Sequence, residues 1–206
     1  MAGRADALAR FDCERSQGGA VRVAGVDEAG RGCWAGPVVA AAVVLPPGWT
    51  HADLDDSKLL TAACREALFP LITAGALTWR ACAVSSSEID RLNVLEATLV
   101  AMARAVARLD PSPQLVLVDG RQLPALPCPG EAIVRGDGRS AVIAAASVVA
   151  KVLRDRIMRA WDRRLPGYGF AHNKGYGSRE HRQALLQLGP TPLHRASYRP
   201  VARFRR

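Results

Sequence analysis

Apolar residues along this chain fall into short runs separated by glycine, proline and polar clusters, and the period changes from run to run. Residues 21–26 are apolar with Arg22 as their only charge, and they end in two adjacent carboxylates, Asp27 and Glu28. Such a run predicts a strand buried on both faces, as in the centre of a sheet. Residues 38–45 predict a second strand, ended by Pro46-Pro47-Gly48. Thr61 can N-cap a helix that should run to about Thr73 before Gly75 stops it. A third strand follows over 77–84, and Ser85-Ser86-Ser87-Glu88 caps a short helix through Leu92. Leu95, Leu99, Met102, Val106 and Leu109 recur at spacings of four, three, four and three, which predicts a helix over 94–109.

The second half repeats one device. Residues 115–118 form a short apolar run that ends in Asp119-Gly120, so a second strand delivers a carboxylate at its tip. If the two strands pair in parallel, their tips are neighbours and the site lies at the carboxyl ends. A strand over 132–135 runs into Gly136-Asp137-Gly138, a third carboxylate between glycines. Ser140 opens an Ala-rich helix to about Arg164, on which Ser147, Lys151 and Arg154 share a face, either as a polar strip with a task or as plain surface solvation. Pro166-Gly167-Tyr168-Gly169 marks a turn, and Ser178 caps a helix over 179–188. The residues from His194 on have few apolar anchors and are expected to lie across the surface or in part without order. The organisation expected is a lead-in over 1–20, a catalytic domain over 21–165 and a basic helical extension over 166–206.

Each carboxylate alone is an ordinary strand end or Asp-Gly turn. Asp27, Glu28, Asp119 and Asp137 together have one structural address, and hard oxygen ligands in that number suit Mg²⁺ or Mn²⁺. Clustered carboxylates without a cation would repel and raise one another's pKa. Two such ions can activate a water and stabilise the leaving oxygen of a phosphodiester.

Charge points to the partner. Over 163–206 there are ten Lys and Arg against one acid, Glu180, and the rest of the chain balances, so the formal +9 sits in the last fifth. That segment also holds Tyr168, Phe170, Tyr176, Tyr198 and Phe204. A basic stretch with aromatic residues beside an acid-tipped domain favours a nucleic acid over a solubilising tail. Three of the 28 basic residues are lysines, Lys58, Lys151 and Lys174, each in a polar island where a compact ammonium could meet a phosphate. Five widely spaced cysteines without Cys-x-x-Cys suggest neither disulfides nor zinc. No apolar run reaches the roughly 18 residues of a membrane span, and the first 17 residues lack an apolar signal core. A cytoplasmic protein is expected.

The chain resembles the bacterial ribonuclease HII family from Val23 to about Val201. The matching pieces are Asp27-Glu28-Ala29-Gly30-Arg31-Gly32 with Gly36-Pro37-Val38-Val39, Asp56-Ser57-Lys58, Asp119-Gly120 and Gly136-Asp137. They continue with residues 145–152, Arg154-Asp155, Lys174-Gly175-Tyr176-Gly177 and His194-Arg195 through Pro200-Val201. The resemblance implies a ribonuclease H-like fold, an α/β mixed five-stranded sheet flanked by helices with a helical C-terminal extension. It implies metal-dependent endonucleolytic hydrolysis of RNA in RNA–DNA hybrids, and incision 5′ of single ribonucleotides embedded in duplex DNA, leaving 3′-hydroxyl and 5′-phosphate ends. On this resemblance Asp27, Glu28, Asp119 and Asp137 hold the metals, and the Gly30-Arg31-Gly32 backbone reads the 2′-hydroxyl that separates RNA from DNA. On the same resemblance Tyr176 packs against the junction nucleotide, and Lys58, Ser147 and Lys151 contact phosphates, with Lys174 added by the lysine pattern above.

Two positions depart from the family pattern: Asn173 where many relatives have His, and Cys33-Trp34 where Pro is common. Arg31 within Gly-x-Gly speaks for type HII over type HIII. No C-terminal sliding-clamp peptide with paired aromatics and no other protein partner is evident, and a monomer is expected. Two other readings stay open on sequence alone. One is a junction resolvase sharing the carboxylates, and the other a non-catalytic hybrid-binding protein.

Overall fold

The computed structural model describes residues 3–204. Residues 1, 2, 205 and 206, which belong to the expected lead-in and extension, lie outside the described residues. Strands β1 (Val23–Ala29), β2 (Val38–Val44), β3 (Thr78–Val84), β4 (Leu115–Asp119) and β5 (Gly130–Ile133) form one sheet in the order β3-β2-β1-β4-β5. β1 pairs antiparallel with β2, which pairs antiparallel with β3, while β1–β4 and β4–β5 are parallel. The mixed five-stranded sheet is the one expected, and β1 is its central strand.

Helices α1 (Arg4–Arg15), α2 (Ala62–Gly75), α3 (Ser86–Leu92), α4 (Val94–Val106) and α5 (Ala141–Arg164) flank it. One core joins α1, α2 and α5 to one face of the sheet, and a second joins α3 and α4 to the other. Residues 141–150 of α5 are buried all round, and their small side chains let the helix lie almost on the strand. A Cβ added to Gly25 of β1 would stand 2.1 Å from the Val142 carbonyl carbon. Only glycine permits that approach.

Three details differ from the pattern reading. β5 starts and ends two residues early, because Arg135 adopts the left-handed region (φ 56°) and turns the chain into a 3₁₀ turn, Gly136–Gly138. Helix α4 presents Ala97, Ala101, Met102, Ala105 and Val106 to the sheet. Leu95 and Leu99 are only partly buried and line a surface cleft instead. A helix lying close on a sheet needs small contacts, so the alanines take the core side.

The third difference is the C-terminal segment, expected to be loosely anchored. Helices α6 (Phe170–Asn173), α7 (Arg179–Leu188) and α8 (Arg199–Ala202) enclose a third core of Tyr168, Phe170, Ala184, Leu185 and Leu193 with Ala35 and Met158. His194, Arg195 and Val201 are buried. The anchors are polar: the Arg195 N–H donates to Trp34 O (2.8 Å) and the Gly36 N–H to Leu193 O (2.9 Å). The Asp90 carboxylate accepts the N–H groups of Ala196 and Ser197, each at 2.8 Å. A hydrophobic pattern cannot register such contacts. Among the described residues no helix is long and apolar enough to cross a membrane.

The Gly25–α5 contact makes Gly25→Ala the sharpest probe of this packing. It is expected to cost at least about 3 kcal/mol by urea denaturation, since backbone is the group displaced. Wild-type stability in that variant would refute the close approach.

Candidate active site

The β1–β4 register pairs Val26 with Val118, and one further step sets Asp27 opposite Asp119. Side chains alternate along a strand, so both carboxylates point to the face covered by α5, as Val23 and Leu117 do. Asp137 arrives in the 3₁₀ turn beyond β5, and the Gly136 N–H donates to Asp119 Oδ1 (2.7 Å), tying that turn to the β4 tip. Oxygens of Asp27, Asp119 and Asp137 all lie within 4.8 Å of one another. Glu28 stands apart from this cluster: alternation turns it from the α5 face, and its Oε1 accepts from Arg31 Nη1 at 3.2 Å. The structure thus brings three of the four predicted carboxylates into one group.

Burial, and then the charges of Glu28 and Asp119, push the pKa of Asp27 well above 3.8. Burial also raises Asp137, opposed by Lys58, whose Nζ donates to Asp137 Oδ2 at 2.6 Å. Burial pulls Lys58 down, but Asp137 and the charges of Asp27 and Asp56 more than offset it and hold the ammonium protonated. One cation against so many converging acids leaves the cluster under-neutralised. A divalent cation relieves that repulsion directly, and carboxylate oxygens are the donors Mg²⁺ and Mn²⁺ prefer. The residues fit the group.

The other predicted residues take varied places. The Ser147 hydroxyl is buried, donates to Ala144 O (2.8 Å) and accepts the Ser57 N–H (3.4 Å), so it supports the loop that carries Lys58. Lys151 pairs with Asp155 Oδ1 at 2.6 Å, and Lys174 donates to the Ala171 carbonyl. Tyr176 is 47% exposed and beside Cys33. Gly30 (φ 99°) lies on the buried Arg154 side chain, and a Cβ there would meet Arg154 Nε at 1.9 Å. The Gly30-Arg31-Gly32 loop follows the β1 tip with its Gly30 backbone pressed onto Arg154, and Arg31 lines one cleft with Asp119 and Asp137. Among the described residues the N–H groups of Arg31 and Gly32 have no hydrogen-bond partner.

Sequence reasoning missed the cations of the adjoining cleft. Arg4, Arg121, Arg135 and Arg139 line it with Arg31 and Lys58, together with Leu95 and Leu99. The available signal was adjacency: Arg121 follows Asp119-Gly120, and Arg135 and Arg139 flank Gly136-Asp137-Gly138.

Comparison with known proteins agrees with this geometry. The crystal structure of ribonuclease H2 from Pyrococcus horikoshii OT3 superposes with a TM-score of 0.72 at 26% identity, covering 89% of this chain and 96% of that one. Fold and carboxylate cluster together define a divalent-metal-dependent nuclease of the ribonuclease H-like fold. The family model described as Ribonuclease HII matches residues 24–201. Ribonuclease HII of Syntrophotalea carbinolica is 53% identical over 94% of this chain and 93% of its own length. That of Rhodospirillum rubrum is 55% identical over 91% and 88%. The chain belongs to the ribonuclease HII family and is a hydrolytic ribonuclease.

The electrostatics predict a stability inversion. An acid whose pKa is raised on folding stabilises the native state below its unfolded value of 3.8, and that contribution is lost as pH rises through the folded pKa. In EDTA, Asp27→Asn should therefore be more stable than wild type, by roughly 3 °C in Tm at neutral pH, with the gap narrowing toward pH 4. Mg²⁺ should raise the wild-type Tm and leave the variant nearly unmoved. Thermal scans across pH, with and without Mg²⁺, check both, and a less stable variant in EDTA would contradict the repulsion.

Proposed function

We propose that this chain is an endoribonuclease that hydrolyses the RNA strand of RNA–DNA hybrids and incises 5′ of single ribonucleotides embedded in duplex DNA, working with two divalent ions. The observation that carries this reading is the Asp27–Asp119–Asp137 cluster together with a backbone loop, following the β1 tip, whose Arg31 and Gly32 N–H groups have no partner among the described residues. Asp27, Asp119 and Asp137 would hold Mg²⁺ or Mn²⁺, with Glu28 at the rim completing the set. When bound, the ions supply an activated water and stabilise charge on the leaving 3′-oxygen.

The chain's own groups select and place the strand. The N–H groups of Arg31 and Gly32 donate to the oxygen of a ribose 2′-hydroxyl, a group that DNA lacks. The exposed ring of Tyr176 offers a surface for the nucleotide at the junction. Lys58, Lys151 and Lys174 serve the phosphates, and Ser147 acts there through the Ser57 loop. Residues 21–165 are the catalytic part, and the basic extension over 166–206 holds the duplex against it. The enzyme acts in the cytoplasm as a monomer. A junction resolvase shares the carboxylates but has no use for two N–H groups aimed at a ribose.

A duplex carrying one ribonucleotide tests this reading, with Mg²⁺ and Mn²⁺ compared. Cleavage is expected on the 5′ side of the ribonucleotide, with 3′-hydroxyl and 5′-phosphate ends. Asp119→Asn is expected to reduce kcat by at least about a thousandfold. Equal cutting of the all-deoxyribonucleotide duplex would overturn the proposal.

A further inference from the structure

Arg195 is fully buried, yet among the described residues no carboxylate pairs with it. All five guanidinium N–H groups are spent on backbone and one hydroxyl. Nε and Nη2 donate to Gly36 O (3.1 and 2.9 Å), and Nη2 also to Gly30 O (2.7 Å). Nη1 donates to Arg31 O (2.7 Å) and to the Tyr198 hydroxyl (2.9 Å), and that hydroxyl donates in turn to Arg31 O (2.7 Å). The carbonyls of Gly30 and Arg31 are thereby drawn into the protein.

A trans peptide is planar, and its C=O and N–H point opposite ways. The Gly30 carbonyl shares a peptide plane with the Arg31 N–H, and the Arg31 carbonyl shares one with the Gly32 N–H. Holding both carbonyls inward turns both N–H groups outward, which is how they come to have no partner within the described protein. Gly30, at φ 99°, gives the chain the freedom for this turn.

We infer that Arg195, assisted by Tyr198, is the positioning residue for ribose recognition: it grips the rear of the Gly30–Gly32 loop and so aims the Arg31 and Gly32 N–H groups at the 2′-hydroxyl. The inference rests on the reading of that loop as the ribose sensor. Lysine cannot replace the planar fork, because its three donors cannot span the carbonyls of Gly30, Arg31 and Gly36 at once. Tyr198→Phe keeps the ring and removes only the hydroxyl, so it is the gentler variant.

The test compares KM for cleavage of a duplex with one ribonucleotide against Ki of the same sequence made wholly of deoxyribonucleotides, used as competitor with Mg²⁺. In the wild type Ki should exceed KM clearly. Tyr198→Phe should raise KM about fivefold, the effect of one lost hydrogen bond, with Ki within about a factor of two. Arg195→Lys should raise KM at least about tenfold, again with Ki nearly constant. Both constants are independent of the fraction of active enzyme, so a merely structural role would lower kcat and leave Ki/KM unchanged. An unchanged ratio in Tyr198→Phe, or equal rises in KM and Ki, overturns the positioning role while the sensor stands. A wild-type ratio near one removes the sensor reading itself. If Arg195→Lys does not fold, Tyr198→Phe decides alone.

Discussion

Three carboxylates whose oxygens lie within 4.8 Å of one another repel, and much of the fold acts to hold them there. The parallel β1–β4 register sets Asp27 against Asp119, and this pairing depends on β1 being the central strand. Gly25 lets α5 lie on β1, and the buried alanines of α5 are the counterpart of that glycine. The Gly136 N–H fixes the Asp137 turn to Asp119, and Lys58 neutralises part of the resulting charge. Stability given up at such a cluster is recovered when a divalent cation binds, because binding to the native state alone adds to its stability.

Most of this frame was legible in the sequence because it rests on local signals. A near-continuous apolar run ending in Asp27-Glu28 and another ending in Asp119 placed two tips, which are neighbours on the condition, met by the β1–β4 register, that the strands pair in parallel. Ser140 as N-cap and the bounds of α5 were equally local, and the Ser140 hydroxyl does accept the Ile143 N–H. What pattern could not convey is which neighbour a face meets. The leucines of α4 outrank its alanines on any hydrophobic scale, yet the short distance to the sheet reverses their roles. Leu95 and Leu99 thereby become walls of the cleft beside the carboxylates.

Net charge was informative and incomplete for a similar reason. The excess of +9 lies in the last fifth of the chain, but a sum over a segment says nothing about where its charges point. Arg195 in that segment is buried, while Arg182 lies over the Trp34 ring at 5.7 Å. The cleft cations Arg4, Arg121, Arg135 and Arg139 come from the part whose charges cancel. Cancellation in sequence is not cancellation in space, since a field is set by groups within about a Debye length of 8–10 Å. A duplex seated over the carboxylates would meet cations from the first 162 residues as well as from the extension.

The buried arginines show a second limit of composition as a guide. Arg154 donates to Pro37 O (2.9 Å), Ala35 O (3.1 Å) and Lys174 O (2.9 Å), so it joins the loop after β1 to the loop that carries Tyr176. Arg195 holds the same β1 loop from the C-terminal segment. Neighbouring His181 and His194 meet through their Nε2 atoms at 3.0 Å. The Tyr176 carbonyl can only accept, so His181 Nδ1 must donate to it, and His194 Nε2–H must donate to His181. Burial lowers both pKa values, that of His194 to about 4, and keeps the pair neutral as this chain of donors requires. Burying a cation without a carboxylate costs stability that a well-packed apolar residue would not. Its return is directional: five donors on Arg195 leave one arrangement of the carbonyls around it, so polar groups here specify backbone orientation where apolar packing would only fill space.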